Sequence, residues 1–181
     1  MLSVAEATDK IVSAFAPIGA EMVSVDRAFG RVLAEPLTAR LTQPPADVSA
    51  MDGYAVRAAD VATLPARLKV TLKIAAGQAP EGKIGPGEAA RIFTGAVVPA
   101  GADTIIIQEN TDADGDFVTV REGDRKPGQH IRKAGFDFKT GDVGLPAGRY
   151  LSARDIALAA AMNRPWVSVS RRPRVALLST G

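Results

Sequence analysis

The chain opens with apolar residues at helical spacing, Val4, Ala7, Ile11 and Phe15. Ser3 and Glu6 form a capping box there, each satisfying N–H groups left free at a helix start, and Pro17 and Gly19 close the segment. A strand is expected over 21–25. One helical turn capped by Asp26 and ended by Gly30 follows, then an extended run over 31–39 in which Pro36 suggests a sheet edge. Lys69 to Ile74 alternates apolar and polar with period two, the pattern of a half-buried strand. After the turn Gly85-Pro86-Gly87-Glu88, strands are expected at 89–93, at 104–108 in a buried position, and at 117–120 through a hairpin at Asp114-Gly115. Ser152 opens an Ala-rich second helix that runs through Met162 and ends with Asn163 in a left-handed conformation. Strands at 165–169 and 173–178 complete the pattern.

Both flanks therefore mix helix and strand, while the middle is nearly all β. Gln43-Pro44-Pro45-Ala46-Asp47 is a stiff connector, since two prolines fix φ and remove two donors. The fold class this predicts is α+β and β-rich. Residues 1–42 and 140–172 form a discontinuous α+β module, and residues 43–139 form a β-rich module inserted into it. The ending, a buried-type strand followed by Ser179-Thr180-Gly181, looks like a cut at a domain boundary.

Composition narrows the chemistry more than the fold. With 46% hydrophobic and 23% charged residues over 181 positions, a folded core is the default, and 17 glycines and 12 prolines favour frequent turns. The absence of cysteine excludes disulfides, thiolate metal sites and a Cys nucleophile. The first residues carry no readable signal peptide, and the uncharged run 156–163 is too short to span a bilayer, so no membrane role and a cytoplasmic location are expected. A net charge of +2 without a long basic stripe does not mark a nucleic-acid binder. Arg125/Lys126, Arg132/Lys133 and Arg171/Arg172/Arg174 read as solvated clusters. Gly85 to Ala90 fits a dinucleotide fingerprint by letters, but a strand follows it. Asp112 to Asp116 resembles a calcium loop, but its glycine comes too early. His130 is the only histidine, which rules out a site built on several, and no metal ligands are assigned.

Two stretches remain. In 47–56, Ser49 and Asp52 flank a turn just before a strand. In 87–103, Thr94-Gly95 ends a strand with a hydroxyl and a backbone that a ligand can approach closely. Spacing alone equally allows an ordinary Asp-Gly turn and a β-bulge.

The residues themselves go further. Ser49-Ala50-Met51-Asp52-Gly53-Tyr54-Ala55 is similar to the signature loop of the MoeA and gephyrin E-domain family, the molybdopterin molybdenumtransferases. Arg91-Ile92-Phe93-Thr94-Gly95-Ala96 with Pro99 to Asp103 resembles that family's second signature. The resemblance spans nearly the whole chain. A third motif, Arg followed by Gly-Glu-Asp, stands here as Arg132-Lys133-Ala134-Gly135-Phe136-Asp137, with Phe136 in place of the usual Glu. Ala46 and Val48 replace a frequent Phe and Asn.

The resemblance implies elongated homodimers with bifurcated, coiled sheets in the N-terminal region. Residues 173–181 would be the first strand of a truncated third domain. It also implies an enzyme that inserts molybdate into adenylylated molybdopterin and releases AMP, assisted by Mg²⁺, in molybdenum cofactor biosynthesis. The molybdopterin adenylyltransferase is a possible partner. Matched to the motifs, Asp52, Thr94 and Asp137 are the implied catalytic residues, and Ser49, Gly95 and Arg132 the implied cofactor-binding ones. Because the substrates are anionic, Asp52 or Asp137 is expected to orient hydrated Mg²⁺ or to accept a proton from water, and Thr94 to donate to an oxyanion. The isolated chain is expected to be inactive. The rival implication is a non-catalytic dimeric scaffold of the gephyrin type.

Overall fold

The computed structural model describes residues 2–16 and 18–179. Pro17, expected to close the first helix, and Thr180-Gly181 lie outside the described residues. The chain divides into two compact units, Met1–Leu41 with Thr140–Gly181, and Thr42–Lys139. Twelve strands against two α-helices among the described residues make the fold α+β and β-rich.

In the two-segment unit, α1 (Val4–Ser13) starts at the capping box: Ser3 Oγ accepts Glu6 N–H at 3.2 Å, and the Glu6 carboxylate accepts Ser3 N–H at 2.8 Å. The apolar stripe is left largely uncovered by the described chain. No residue of α1 is buried, and Val4 and, just beyond the helix, Phe15 are 85% and 77% exposed. β1 (Ala20–Ser24) pairs antiparallel with β12 (Trp166–Ser170). The turn after β1 is a 3-10 turn over Val25–Arg27. Ser24, not Asp26, stands at its N-cap, because the turn begins one residue before the expected cap. The extended run 31–39 is broken into bridges, Val32 to Tyr150 and Leu33 to Val169, before β2 (Leu37–Thr38) pairs with β11 (Val143–Leu145). α2 (Ala153–Ala161) has its own box, in which Ser152 Oγ accepts Asp155 N–H at 3.4 Å while Asp155 Oδ2 accepts Ser152 N–H at 2.8 Å. Asn163 ends it at φ +58°. Leu33, Leu37, Leu145, Leu151, Met162, Val167 and Val169 fill the core. The strand expected over 173–178 does not form. No strand is present over 171–179, where Val175, Leu177 and Leu178 stand exposed, since an apolar run without a ladder partner gains nothing from extending.

The continuous unit is built on a six-stranded sheet. Its strands are β4 (Gly53–Val56), β5 (Ala66–Ile74), β6 (Glu88–Ile92), β7 (Thr104–Ile107), β8 (Thr111–Asp114) and β9 (Phe117–Val120), in the order β7-β4-β6-β5-β9-β8. Only β5 and β6 run parallel. Successive residues of β4 alternate between two apolar clusters, one holding Tyr54, Val56, Leu68, Ile106, Val118 and Val120, the other Ala55, Ile74, Ile84, Ile92 and Ile105. That is why all four residues of β4 are buried. β5 starts three residues before the expected strand, and an irregularity between Val70 and Leu72 switches its inward residues from the first cluster to the second. The hairpin at Asp114–Phe117 and the turn before β6 stand where the pattern placed them.

Candidate functional site

The site grows from a short ladder at the edge of the continuous unit. β3 (Val48–Ser49) pairs antiparallel with β10 (Ile131–Arg132), and on its other side Val48 bridges Val97. Ser49 N–H donates to Ala96 O at 2.9 Å, Gly95 N–H donates to Ser49 O at 2.8 Å, and Ala50 N–H donates to His130 O at 2.8 Å. One strand thus has the 94–96 loop on one side and the 130–132 segment on the other, although these lie far apart in sequence. Gly95 reaches its position with φ +83°, a conformation that costs a glycine little.

Asp52 and Thr94 meet directly. Asp52 Oδ1 accepts the Thr94 N–H at 2.7 Å and the Thr94 hydroxyl at 2.8 Å. Both residues are exposed. The Thr94 N–H foremost, then its hydroxyl, hold the Asp52 carboxyl below the usual carboxylate range, and the Arg91 charge adds to the effect. Thr94, expected to donate to an oxyanion, spends both its donors on Asp52. The pair therefore presents to solvent a fixed, ionised carboxylate with Oδ2 outside these bonds, and such a group attracts a cation or a hydrogen-bond donor.

Ser49, expected to bind a ligand, is 1% exposed. Its hydroxyl donates to Met51 O at 2.6 Å and accepts Met51 N–H at 3.3 Å. It shapes the turn that carries Asp52, because a hydroxyl this buried and locally satisfied has no free face. Arg132 and Asp137 pair with each other, Nη2 to Oδ1 at 2.7 Å, both half-exposed, and the Arg132 guanidinium lies 5.2 Å from the centre of the Phe136 ring. Phe136, 68% exposed, thus lies against the arginine of its own motif. No hydrogen bond joins this pair to Asp52–Thr94 among the described residues; β3 lies between the segments that carry them. Asp47 holds the 133–134 turn instead, accepting from Lys133 Nζ at 2.8 Å and Ala134 N–H at 2.9 Å. The Lys133 hydrogen bond first, and the Ala134 N–H second, keep its carboxyl below the usual range.

Arg91 was not among the expected site residues. Its guanidinium donates to Gly53 O at 2.7 Å and to Gln108 Oε1 at 2.6 Å, and it packs 5.2 and 4.6 Å from the centres of the Tyr54 and Phe93 rings. An arginine inside the otherwise apolar run Ala89-Ala90-Arg91-Ile92 was the available signal.

A divalent cation can be tested against these donors. No group of three or more His, Cys, Asp or Glu side chains able to hold a metal exists among the described residues, so these offer no closed cage. Mg²⁺ does not require one: it keeps much of its water and commonly uses one or two carboxylates plus substrate phosphates. The exposed, ionised Asp52 fits that mode.

Comparison with known proteins identifies the family. The family model described as the MoeA N-terminal region (domain I and II) matches residues 2–163. A molybdopterin molybdenumtransferase of Nostoc sp. is 46% identical over 165 residues, covering 89% of this chain and 38% of that protein. A molybdopterin molybdenumtransferase 2 of Mycobacterium tuberculosis is 40% identical, covering 88% and 40%. A crystal structure of the molybdopterin biosynthesis MoeA protein from Pyrococcus horikoshii superposes with a TM-score of 0.88 at 33% identity, covering 96% of this chain and 47% of that one. The chain therefore spans less than half the length of these relatives. Matched over residues 2–163, it belongs to the MoeA N-terminal region family.

Proposed function

We propose that this chain is the N-terminal part of a molybdopterin molybdenumtransferase, which inserts molybdate into adenylylated molybdopterin and releases AMP in molybdenum cofactor biosynthesis. The observation that carries the reading is the Asp52–Thr94 pair, an exposed carboxylate fixed by two hydrogen bonds.

The substrates are anions, so a bare carboxylate facing them repels them unless a cation intervenes. A depressed pKa makes Asp52 a weak proton acceptor. Of the two roles open to it, orienting hydrated Mg²⁺ is therefore favoured over deprotonating water. When bound, Mg²⁺ would neutralise phosphate charge; Asp52 would accept hydrogen bonds from its water shell. Thr94 keeps Asp52 ionised and in one rotamer, and Gly95 leaves room for a ligand beside it. Arg132, paired with Asp137 and half-exposed, would meet an anionic substrate only if that substrate reaches across β3 from Asp52.

The protein is further proposed to act as a homodimer. An amphipathic helix without a single buried residue has an apolar stripe still to cover, and a second subunit would cover it. The molybdopterin adenylyltransferase, whose product is the substrate here, is the proposed delivery partner. The cytoplasm is the proposed place of action; no helix among the described residues is long and apolar enough to cross a membrane.

Asp52→Asn in the full-length protein tests the reading. AMP release from adenylylated molybdopterin is expected to fall about 10- to 100-fold, the usual loss when an outer-sphere partner of a metal is removed. Unchanged AMP release would overturn it.

A further inference from the structure

We infer that Arg91 is a positioning residue that holds Asp52 and Thr94 in register with each other. The inference rests on the reading of Asp52–Thr94 as the working pair, and it concerns how that pair is held together.

Asp52 and Thr94 are 42 residues apart, just beyond Gly53 and Ile92, the pair at which the β4–β6 ladder ends. Arg91 reaches the chain beside each. Its Nη1 donates to the carbonyl of Gly53, the residue after Asp52, at 2.7 Å, and more weakly to Ile92 O at 3.4 Å, two residues before Thr94. Its Nη2 donates at 2.6 Å to Gln108 Oε1, and the Gln108 N–H in turn donates to the carbonyl of Asp52 at 3.1 Å. The guanidinium plane is flanked by Tyr54, which follows Gly53, and by Phe93, which precedes Thr94. One planar cation thereby ties the two chain segments on either side of the carboxylate bond and closes a ring through Gln108. In the sheet Arg91 lies between Tyr54 of β4 and Lys73 of β5, so its side chain rises from a rigid strand. The site does not depend on a mobile surface arginine.

The geometry uses properties that lysine lacks. Two nitrogens of one fork serve two acceptors in different directions, and the flat group lies against two rings; an ammonium is a point charge on a flexible stem. Arg91→Lys therefore keeps the charge and removes the positioning.

The test uses the full-length protein with Arg91→Lys. The Thr94 amide, which donates to Asp52, is followed by NMR as pH is lowered, so that its shift reports Asp52 ionisation. In the wild type the amide is expected to titrate with a midpoint below that of an ordinary aspartate. In Arg91→Lys the midpoint moves up towards the ordinary value and the amplitude shrinks, while kcat for AMP release falls about 10- to 100-fold with KM nearly unchanged, as for misplacement of a reacting group. Gln108→Ala, at an exposed position, removes one anchor of the guanidinium and should shift the midpoint in the same direction by less. It serves if the lysine variant folds poorly. An unchanged Thr94 midpoint in both variants overturns the inference. A shifted midpoint with undiminished turnover upholds the positioning role and instead overturns the reading of Asp52–Thr94 as the working pair.

Discussion

A carboxylate on a surface turn ordinarily titrates near pH ~4 and samples several rotamers. The N–H and hydroxyl of Thr94 remove both freedoms from Asp52, and they do so without burying it. Thr94→Val removes the hydroxyl but leaves the backbone donor. The Asp52 midpoint should rise part of the way to the ordinary value, and AMP release should drop, while Thr94→Ser restores both; side-chain carboxyl NMR and turnover check this. Serine failing to rescue, or valine having no effect, would mean that the hydroxyl contributes nothing. At this scale the sequence was only partly legible. Asp52 and Thr94 could be singled out as a loop acid and a strand-end hydroxyl, yet spacing could not say that Ser49 turns inward to Met51. Whether a hydroxyl faces a ligand or its own backbone is decided by contacts within two residues that leave no separate mark in residue type. Arg91 did leave a mark, a charge among apolar strand neighbours, but its partners at Gly53 and Gln108 lie 38 and 17 residues away.

Among the elements, both helices and the 114–117 hairpin were readable because each is specified by neighbours in sequence: a box at Ser3 and Glu6, another at Ser152 and Asp155, and an Asp-Gly reversal. The β3–β10 ladder and the irregularity in β5 were not, since pairing Ser49 with Ile131 depends on chain closure over more than eighty residues. The second box also carries a pH signature. Asp155 is 5% exposed, and the Ser152 hydroxyl first, with its N–H and Arg149 adding, holds its carboxyl below the usual range. A depressed folded pKa stabilises the fold fully above the unfolded carboxylate pKa, and that contribution disappears as pH falls through the lower folded value. Asp155→Asn should therefore lower the denaturant midpoint at neutral pH, and its deficit against the wild type should shrink only below about pH 4. A deficit of constant size from pH 7 to pH 3 would show that the charge of Asp155 is immaterial.

For the molecule as a whole, the apolar stripe of α1 is the feature that one chain leaves unresolved. Ile11 and Val12 are 61% and 66% exposed on a helix that buries nothing, so a charge placed there costs the isolated protomer little. Ile11→Asp in the full-length protein should shift sedimentation from dimer towards monomer without lowering the unfolding midpoint of the protomer. A dimer of undiminished strength would assign the stripe to another role. The β-rich α+β class was legible from the contrast between flanks and middle, whereas the last apolar run misled. The apolar run over 173–178 promised a strand, but a strand is a property of two segments, and no partner segment lies among the described residues. On the proposed reading, function at this scale turns on what the ionised Asp52 meets. The most direct measurement is the Mg²⁺ concentration that half-saturates AMP release by full-length wild type and Asp52→Asn. An increase of about 10- to 100-fold in the variant is predicted, since the cation loses the carboxylate that orients its water shell. The same half-saturating concentration in both proteins would contradict the assignment of Asp52 to the metal.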